Sequence, residues 1–407
     1  MNDRRYRVLL VASHVVQYAT PVFREMARHP KLDVQVAYCS LHGAKRGFDQ
    51  ELGVEVAWDL PLLDGYPWVE IRNRSPWPGP GRLFGLVNPG LWKLVRTGGY
   101  DAVLSYTGYA YLSFWILALA AKFSRIPLIA STDAHSLRSP NSRWWKLLLK
   151  RCCLPLLYRL FDVVLAPSEA NVRFVKSLGI PEERVLFAPG GFDNEWWARK
   201  AREADRVATR SRWGIPEGTV VFLFCGKLQP WKRPQDLLHA LARLGICDAF
   251  VVYAGDGPLR AELEAEARAL GISKRAVFLG FVNQTVLPEL YRAADVLVLS
   301  SGYDGCPLVV CEAMSSGCPV VLSDAVPGRF ELVRQGDTGF IYPCGNVDAL
   351  ASIFREVLEN PERLKGLSSS AAERMKAWSL GAYADGLALA LARIVPVRAG
   401  LTREQEA

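Results

Sequence analysis

Two lysines and two carboxylates carry the chemistry that stands out in this sequence. Lys227 and Lys232 lie five residues apart in Cys225-Gly226-Lys227-Leu228-Gln229-Pro230-Trp231-Lys232-Arg233, directly after an apolar run, with Gly226 where backbone must approach a ligand. Cations so placed can clamp a diphosphate. Because charge on a pyrophosphate leaving group grows as the bond to it breaks, they stabilise the transition state more than the ground state. Asp304 and Glu312 lie eight residues apart in Ser301-Gly302-Tyr303-Asp304-Gly305-Cys306-Pro307-Leu308-Val309-Val310-Cys311-Glu312. Asp304 falls in a Gly-rich turn and Glu312 on the helix expected to follow. A carboxylate can accept both vicinal hydroxyls of a ribose, and the N–H groups of a helix N-terminus attract phosphate or sugar hydroxyls. The segment thus offers groups for both ends of a nucleotide sugar. The alternatives from spacing alone are a solvated lysine loop, and a helix cap with a solvated glutamate.

The elements that must position these residues are legible as apolar runs ending in small or polar residues. RVLLVAS (Arg7–Ser13), a helical pattern through Pro21–His29 and LDVQVAYC (Leu32–Cys39) read as strand, helix, strand. AVLSYT, PLIAST and VVLAPS repeat the unit. A polar, arginine-rich stretch at 194–213 interrupts the series. A second series follows: VVFLFCG, AFVVYAGDG, AVFLGFV, DVLVLSS, CPVVLSD and GFIYP, with helical segments between. Such alternation implies parallel sheets covered on both faces, with ligands outside the carboxyl ends of the strands.

At 407 residues the chain exceeds what one hydrophobic core serves, and half of its residues are apolar. The N-terminal apolar run is too short for a secretory signal, so secretion is not expected. The most apolar stretch, 109–123, falls short of the ~20 residues that span a bilayer and reads as a buried helix. Nine cysteines show neither zinc-ribbon nor redox spacing and read as reduced thiols. A net charge of +8 favours an anionic partner without choosing among phosphate-bearing substrate, membrane and nucleic acid.

The order G-K-L-x-x-x-K, AGDGP, LGFV and D-G-x-P-L-x-x-x-E-A-M-x-x-G-x-P-V-V resembles the retaining glycosyltransferases of family 4, over roughly residues 180–345. The resemblance implies an α/β, GT-B fold: two Rossmann-like doubly wound domains facing a central cleft. It implies that Lys227 and Lys232 bind the donor diphosphate, that Glu312 holds the ribose, and that Gly226, Gly255, Gly257, Phe281, Val282, Gly305, Pro307 and Leu308 line the donor pocket. Asp304 stands where the family usually has a Glu beside the transferred sugar. Ala188-Pro189-Gly190-Gly191-Phe192-Asp193 resembles the interdomain loop that faces the donor.

The N-terminal half matches less well, as expected of the half that reads the acceptor. Ser13, His14, Gln17 and Tyr18 replace the usual Gly-Gly loop after the first strand and are assigned to the acceptor side. The family often carries a His after a strand in this half, near the donor sugar; counting from Pro127 puts Asp133 in that register, with His135 two residues on, and either is a catalytic candidate that can hydrogen-bond a sugar hydroxyl or stabilise developing oxocarbenium charge. The segment 138–160 interleaves Arg143, Lys146, Lys150 and Arg151 with Trp144, Trp145 and leucines, a composition that lies on anionic membranes and also suits a half-buried domain helix.

A nicotinamide dehydrogenase is disfavoured because GxGxxG with its distal acid is missing. No zinc finger, helix-turn-helix or RNP-like pattern supports a nucleic-acid partner. A nucleotide-sugar 2-epimerase shares the architecture but not the lysine pair followed by D-x7-E. The expectation is therefore a retaining transferase using a UDP- or GDP-sugar and a glycan or lipid-linked acceptor, with no metal cofactor, cytoplasmic or peripheral on the inner face of the membrane. Residues 1–195 form the acceptor domain, 196–375 the nucleotide-sugar domain and 376–407 a helical segment returning to the first domain.

Overall fold

Apolar runs form central strands here because both faces of each sheet are covered. The computed structural model describes residues 4–49, 54–79, 81–138, 143–245, 247–305, 307–327 and 329–395. β1 (Tyr6–Ala12) leads through α1 (Thr20–Arg28) to β2 (Leu32–Tyr38). A small antiparallel hairpin, β3 (Gly47–Asp49) and β4 (Val54–Val56), precedes the edge strand β5 (Trp68–Glu70). Then come α2 (Gly90–Thr97), β6 (Ala102–Tyr106), α3 (Leu112–Phe123), β7 (Leu128–Ser131), α4 (Trp144–Tyr158), β8 (Val163–Ala166), α5 (Glu169–Ser177) and β9 (Val185–Phe187). The sheet order is β5-β2-β1-β6-β7-β8-β9, all parallel.

The period-2 alternation of a strand divides β1 between two cores. Val8 and Leu10 join the side chains of α1, while Leu9 and Val11 join those of α2, α3, α4 and α5.

The second domain opens with α6 (Asn194–Glu203) and α7 (Arg206–Arg212), then β10 (Val220–Cys225), α8 (Gln235–Arg243), β11 (Ala249–Ala254), α9 (Arg260–Ala269), β12 (Ala276–Gly280) and α10 (Leu287–Ala293). It continues with β13 (Val296–Leu299), α11 (Leu308–Ser315), β14 (Val320–Ser323), α12 (Arg329–Leu332), β15 (Gly339–Tyr342), α13 (Val347–Glu359) and α14 (Pro361–Met375). All pairings are parallel, and the order β12-β11-β10-β13-β14-β15 puts the reversal of strand order beside β10, where doubly wound sheets bind ligands. A division at 195/196 cuts α6, which packs as a whole on α10 and α11 of the second sheet. After α14 the chain crosses back, and α15 (Leu380–Ile394) packs on α1, β8 and β9 in the first core. Residues 396–407 and 139–142, parts of the predicted terminal and basic segments, lie outside the described residues.

One expectation is corrected. The helix expected to be buried within 109–123 is α3, which buries Phe114, Leu117 and Ala121 but leaves Trp115, Leu119 and Phe123 on the surface. A single helix layer covers the sheet, so a helix apolar on all sides has one side without a partner.

Candidate active site

Three strand ends of the second domain meet edge to edge. The N–H of Gly226 donates to Ala254 O at 2.9 Å, that of Gly255 to Gly280 O at 2.7 Å, and that of Leu228 to Asp256 O at 2.9 Å. Gly255 has φ +149° and a Cβ there would lie 1.9 Å from Gly226 O, so only glycine fits. These contacts hold Gly226, Lys227 and Gly257 in one rim, with Lys227 half-buried.

Lys232 closes a short 3-10 turn, Pro230–Lys232, which backbone bonds fix against the end of β13. Ser300 Oγ donates to Lys232 O and Arg233 O at 3.0 and 2.7 Å, and the N–H of Gly302 to Trp231 O at 2.8 Å. Arg233, itself left-handed at φ +51°, is anchored by two bonds from its guanidinium to the buried Asp236. The result is an ion pair: Lys232 Nζ lies 2.5 Å from Asp304 Oδ2, the two side chains 21% and 6% exposed. The sequence separates these residues by role, one for diphosphate and one for sugar; in the ligand-free structure they are each other's partner. An anionic donor entering here competes with Asp304 for Lys232.

Glu312, in the second turn of α11, is buried and accepts a 2.7 Å bond from Tyr291 Oη of α10. Burial pushes its carboxyl up to about 7, against the opposing pull of the tyrosine bond. The Tyr291 hydroxyl also lies 3.4 Å from Cys225 Sγ at the end of β10. Tyr291 carries no sequence signal, being 21 residues from Glu312 on a different helix.

From the first domain, the loop after β7 reaches across. Asn171 Nδ2 of α5 donates to Ala134 O at 2.9 Å and so fixes Asp133 and His135. The His135 ring is 5.7 Å from that of Tyr303. Burial lowers its pKa, while Asp133 and Asp304 pull the other way. Asp133 faces Gly305, Pro307 and Leu308 across a cleft of about 70 Å³, to which Gly190 and Phe192 of the interdomain loop also contribute. Gly190 is required by chain packing: a Cβ there would meet Ser379 O at 2.1 Å.

The remaining predicted residues sit further from this junction. Ser13 Oγ is 2.9 Å from His14 Nδ1, and the His14 ring, its pKa lowered by burial and by His42, lies 6.2 Å from the His42 ring. Gln17 is half-buried and Tyr18 exposed. Phe281 packs 6.0 Å from Trp58 of the first domain, and Val282 borders the second domain's core. Beside them, Asn283 Nδ2 donates to Ala57 O at 2.6 Å, and Thr285 N and Oγ1 donate to the Asp59 carboxylate. This clasp between the halves was not visible in the sequence. Among the described residues no group of three or more His, Cys, Asp and Glu could hold a metal ion, and no helix is long and apolar enough to cross a membrane.

Two doubly wound domains, each turning strand ends to a shared cleft, make a GT-B fold. Family models described as Glycosyltransferase Family 4 and Glycosyl transferases group 1 match residues 21–196 and 205–374. The D-inositol 3-phosphate glycosyltransferase of Nocardia farcinica is 30% identical over 419 residues, covering 95% of this chain and 89% of that protein. Its counterpart in Rhodococcus jostii is 27% identical over 418 residues, with the same coverage of both. Among solved structures, Anabaena HepE in complex with UDP superposes with a TM-score of 0.73 at 23% identity, covering 96% of this chain and all of that one. The chain belongs to the family 4-like glycosyltransferases of GT-B fold.

Proposed function

We propose that the protein transfers a sugar from a UDP- or GDP-sugar to a glycan or lipid-linked acceptor, with retention of anomeric configuration and without a metal cofactor. Its setting is cell-surface polysaccharide or glycolipid synthesis, on the cytoplasmic side of a membrane to which the 138–160 segment adsorbs. The observation that carries this reading is the Lys232–Asp304 pair where the strand order reverses, with Lys227 on the adjoining rim and His135 arriving from the opposite half.

In this reading the donor diphosphate takes over Lys232 and is also met by Lys227, so that both cations oppose the charge that develops on the leaving group. Asp304, released from Lys232, turns its carboxylate to a hydroxyl of the transferred sugar. Glu312, oriented by Tyr291, receives the ribose hydroxyls. His135 hydrogen-bonds the sugar across the cleft, and Asp133 beside it favours the positive charge of an oxocarbenium-like transition state.

Thermal unfolding against UDP-, GDP- and ADP-sugars tests the donor, since a ligand that binds only the folded state raises its midpoint. A UDP- or GDP-sugar should raise it, and Lys232→Ala should then lower kcat by about 10²- to 10³-fold with a smaller change in donor affinity. No shift with any nucleotide sugar, or an unchanged kcat in the variant, counts against the proposal.

A further inference from the structure

The outer surface of the first domain's helix layer is apolar where solvent would call for polar residues. α2, α3, α4 and α5 cover the same face of the first sheet and share one core. On the far side α3 presents Trp115, Leu119 and Phe123, one helical stripe, 36%, 53% and 74% exposed. The stripe extends onto α2, whose Trp92 ring is 5.6 Å from that of Phe123 and lies under Arg96. α4 presents Trp144, Trp145, Leu148, Leu149 and Leu156, each 45–74% exposed. Exposed aromatic and aliphatic side chains concentrated on the helices of one face mark an interaction site.

Charge selects the partner. Residues 102–161 contain eight lysines and arginines and a single acid, Asp133, and so hold seven of the chain's net +8 charges. Lys146 Nζ sits 5.5 Å over the Trp145 ring, which puts a cation among these apolar side chains. An anionic bilayer supplies what this surface lacks: hydrocarbon for the aromatic and leucine side chains, and phosphates for the cations.

The same helix also borders the cleft. On its inner side, Lys150, Leu154 and Tyr158 line a cavity of about 210 Å³ together with Asp133, His135 and Tyr303, and Arg138 stands in its wall. Tyr158 Oη is fixed by Thr132 Oγ1 at 2.9 Å, and Lys150 Nζ by Leu137 O at 3.1 Å, both from the loop that carries Asp133. One side of α4 is therefore exposed and apolar, while the other frames a cavity with Lys150 and Arg138 in its wall beside Asp133 and His135.

We infer that the acceptor is an anionic lipid: its chains stay in the bilayer on which α2, α3 and α4 rest, and its phosphate enters the cavity between Lys150 and Arg138. The identity of this cavity as the acceptor site rests on the transferase reading above; the docking surface does not.

Cosedimentation of the full chain with vesicles tests the surface. Phosphatidylcholine vesicles with roughly one-third phosphatidylglycerol should bind the protein, and phosphatidylcholine alone should bind it at least about tenfold less. The double variant Leu119→Ser, Phe123→Ser, altered only at exposed positions, should lose about tenfold in vesicle binding while keeping its unfolding midpoint and UDP affinity. Equal binding to both vesicle types, or an unaffected double variant, overturns the docking surface. Calorimetry with dihexanoyl phosphatidic acid, monomeric in water, tests the cavity: it should bind, and Lys150→Gln should weaken it about tenfold. Inositol phosphate binding as tightly as the short-chain lipid assigns the cavity to a free phosphate and overturns the lipid acceptor. Loss of all nucleotide binding in the unaltered protein sinks the transferase reading instead, and leaves the vesicle result standing.

Discussion

Glu312 shows how a residue's spacing and its energetics separate. The sequence places a carboxylate on the helix after Asp304, but its burial follows from α10 and β10 closing over it, with Tyr291 as its hydrogen-bond partner. Its folded pKa of about 7 lies above the ordinary 4.5, so the folded state holds the proton more tightly. The stability this represents is present below pH 4.5 and is lost as pH rises through 7, a difference of about 3 kcal/mol. Glu312→Gln keeps an acceptor for Tyr291 and cannot ionise. Its unfolding midpoint should match the unaltered protein at pH 4.5 and exceed it at pH 8. A difference of the same size at both values would show that the carboxyl does not titrate in the folded chain. The Lys232–Asp304 pair was equally hidden, because 72 residues of intervening chain leave no local pattern that joins them.

At the scale of elements, the central strands were legible from the length of their apolar runs. β1, β8 and β10 span seven, four and six residues, enough for a strand buried on both faces and too short for a buried helix. The hairpin strands β3 and β4 and the edge strand β5 were not legible, being three residues long each with charged members. α3 misled for a different reason: apolar residues on every side predict burial on every side, and only the layer count shows which side stays bare. The glycine signals survived best. Gly255 is needed because two strand-end loops nearly touch, so Gly255→Ala should cost about 1–3 kcal/mol in denaturant unfolding and displace the Gly226–Lys227 rim, weakening nucleotide binding. Gly302→Ala, whose nearest neighbour to a new Cβ is Cys344 Sγ at 3.6 Å, is the control and should behave like the unaltered protein. Equal stability of the two variants would mean that the rim yields freely.

Across the whole molecule the two halves touch on both flanks of the cleft: the 57–59 loop grips 281–285, and Glu331 Oε1 accepts from Ala170 N at the start of α5. The contacts of the 57–59 loop are exposed and individually weak, suited to opening and closing. Asp59→Ala should shift the ligand-free protein toward open forms, seen as a larger radius of gyration in solution scattering, and reduce apparent donor affinity a few-fold. An unchanged radius with unchanged affinity would show that the clasp does not govern closure. The return of α15 has a consequence of another kind. Tyr383, Leu387 and Leu391 complete the core that Phe23 and Met26 begin. The half synthesised first therefore emerges from the ribosome without the last piece of its own interior. It must wait, incompletely packed, while some two hundred residues of the other half are made and folded. Translation order and folding order are thus interlocked, and a nascent chain halted before Leu380 exposes an apolar strip on α1 that chaperones would have reason to bind.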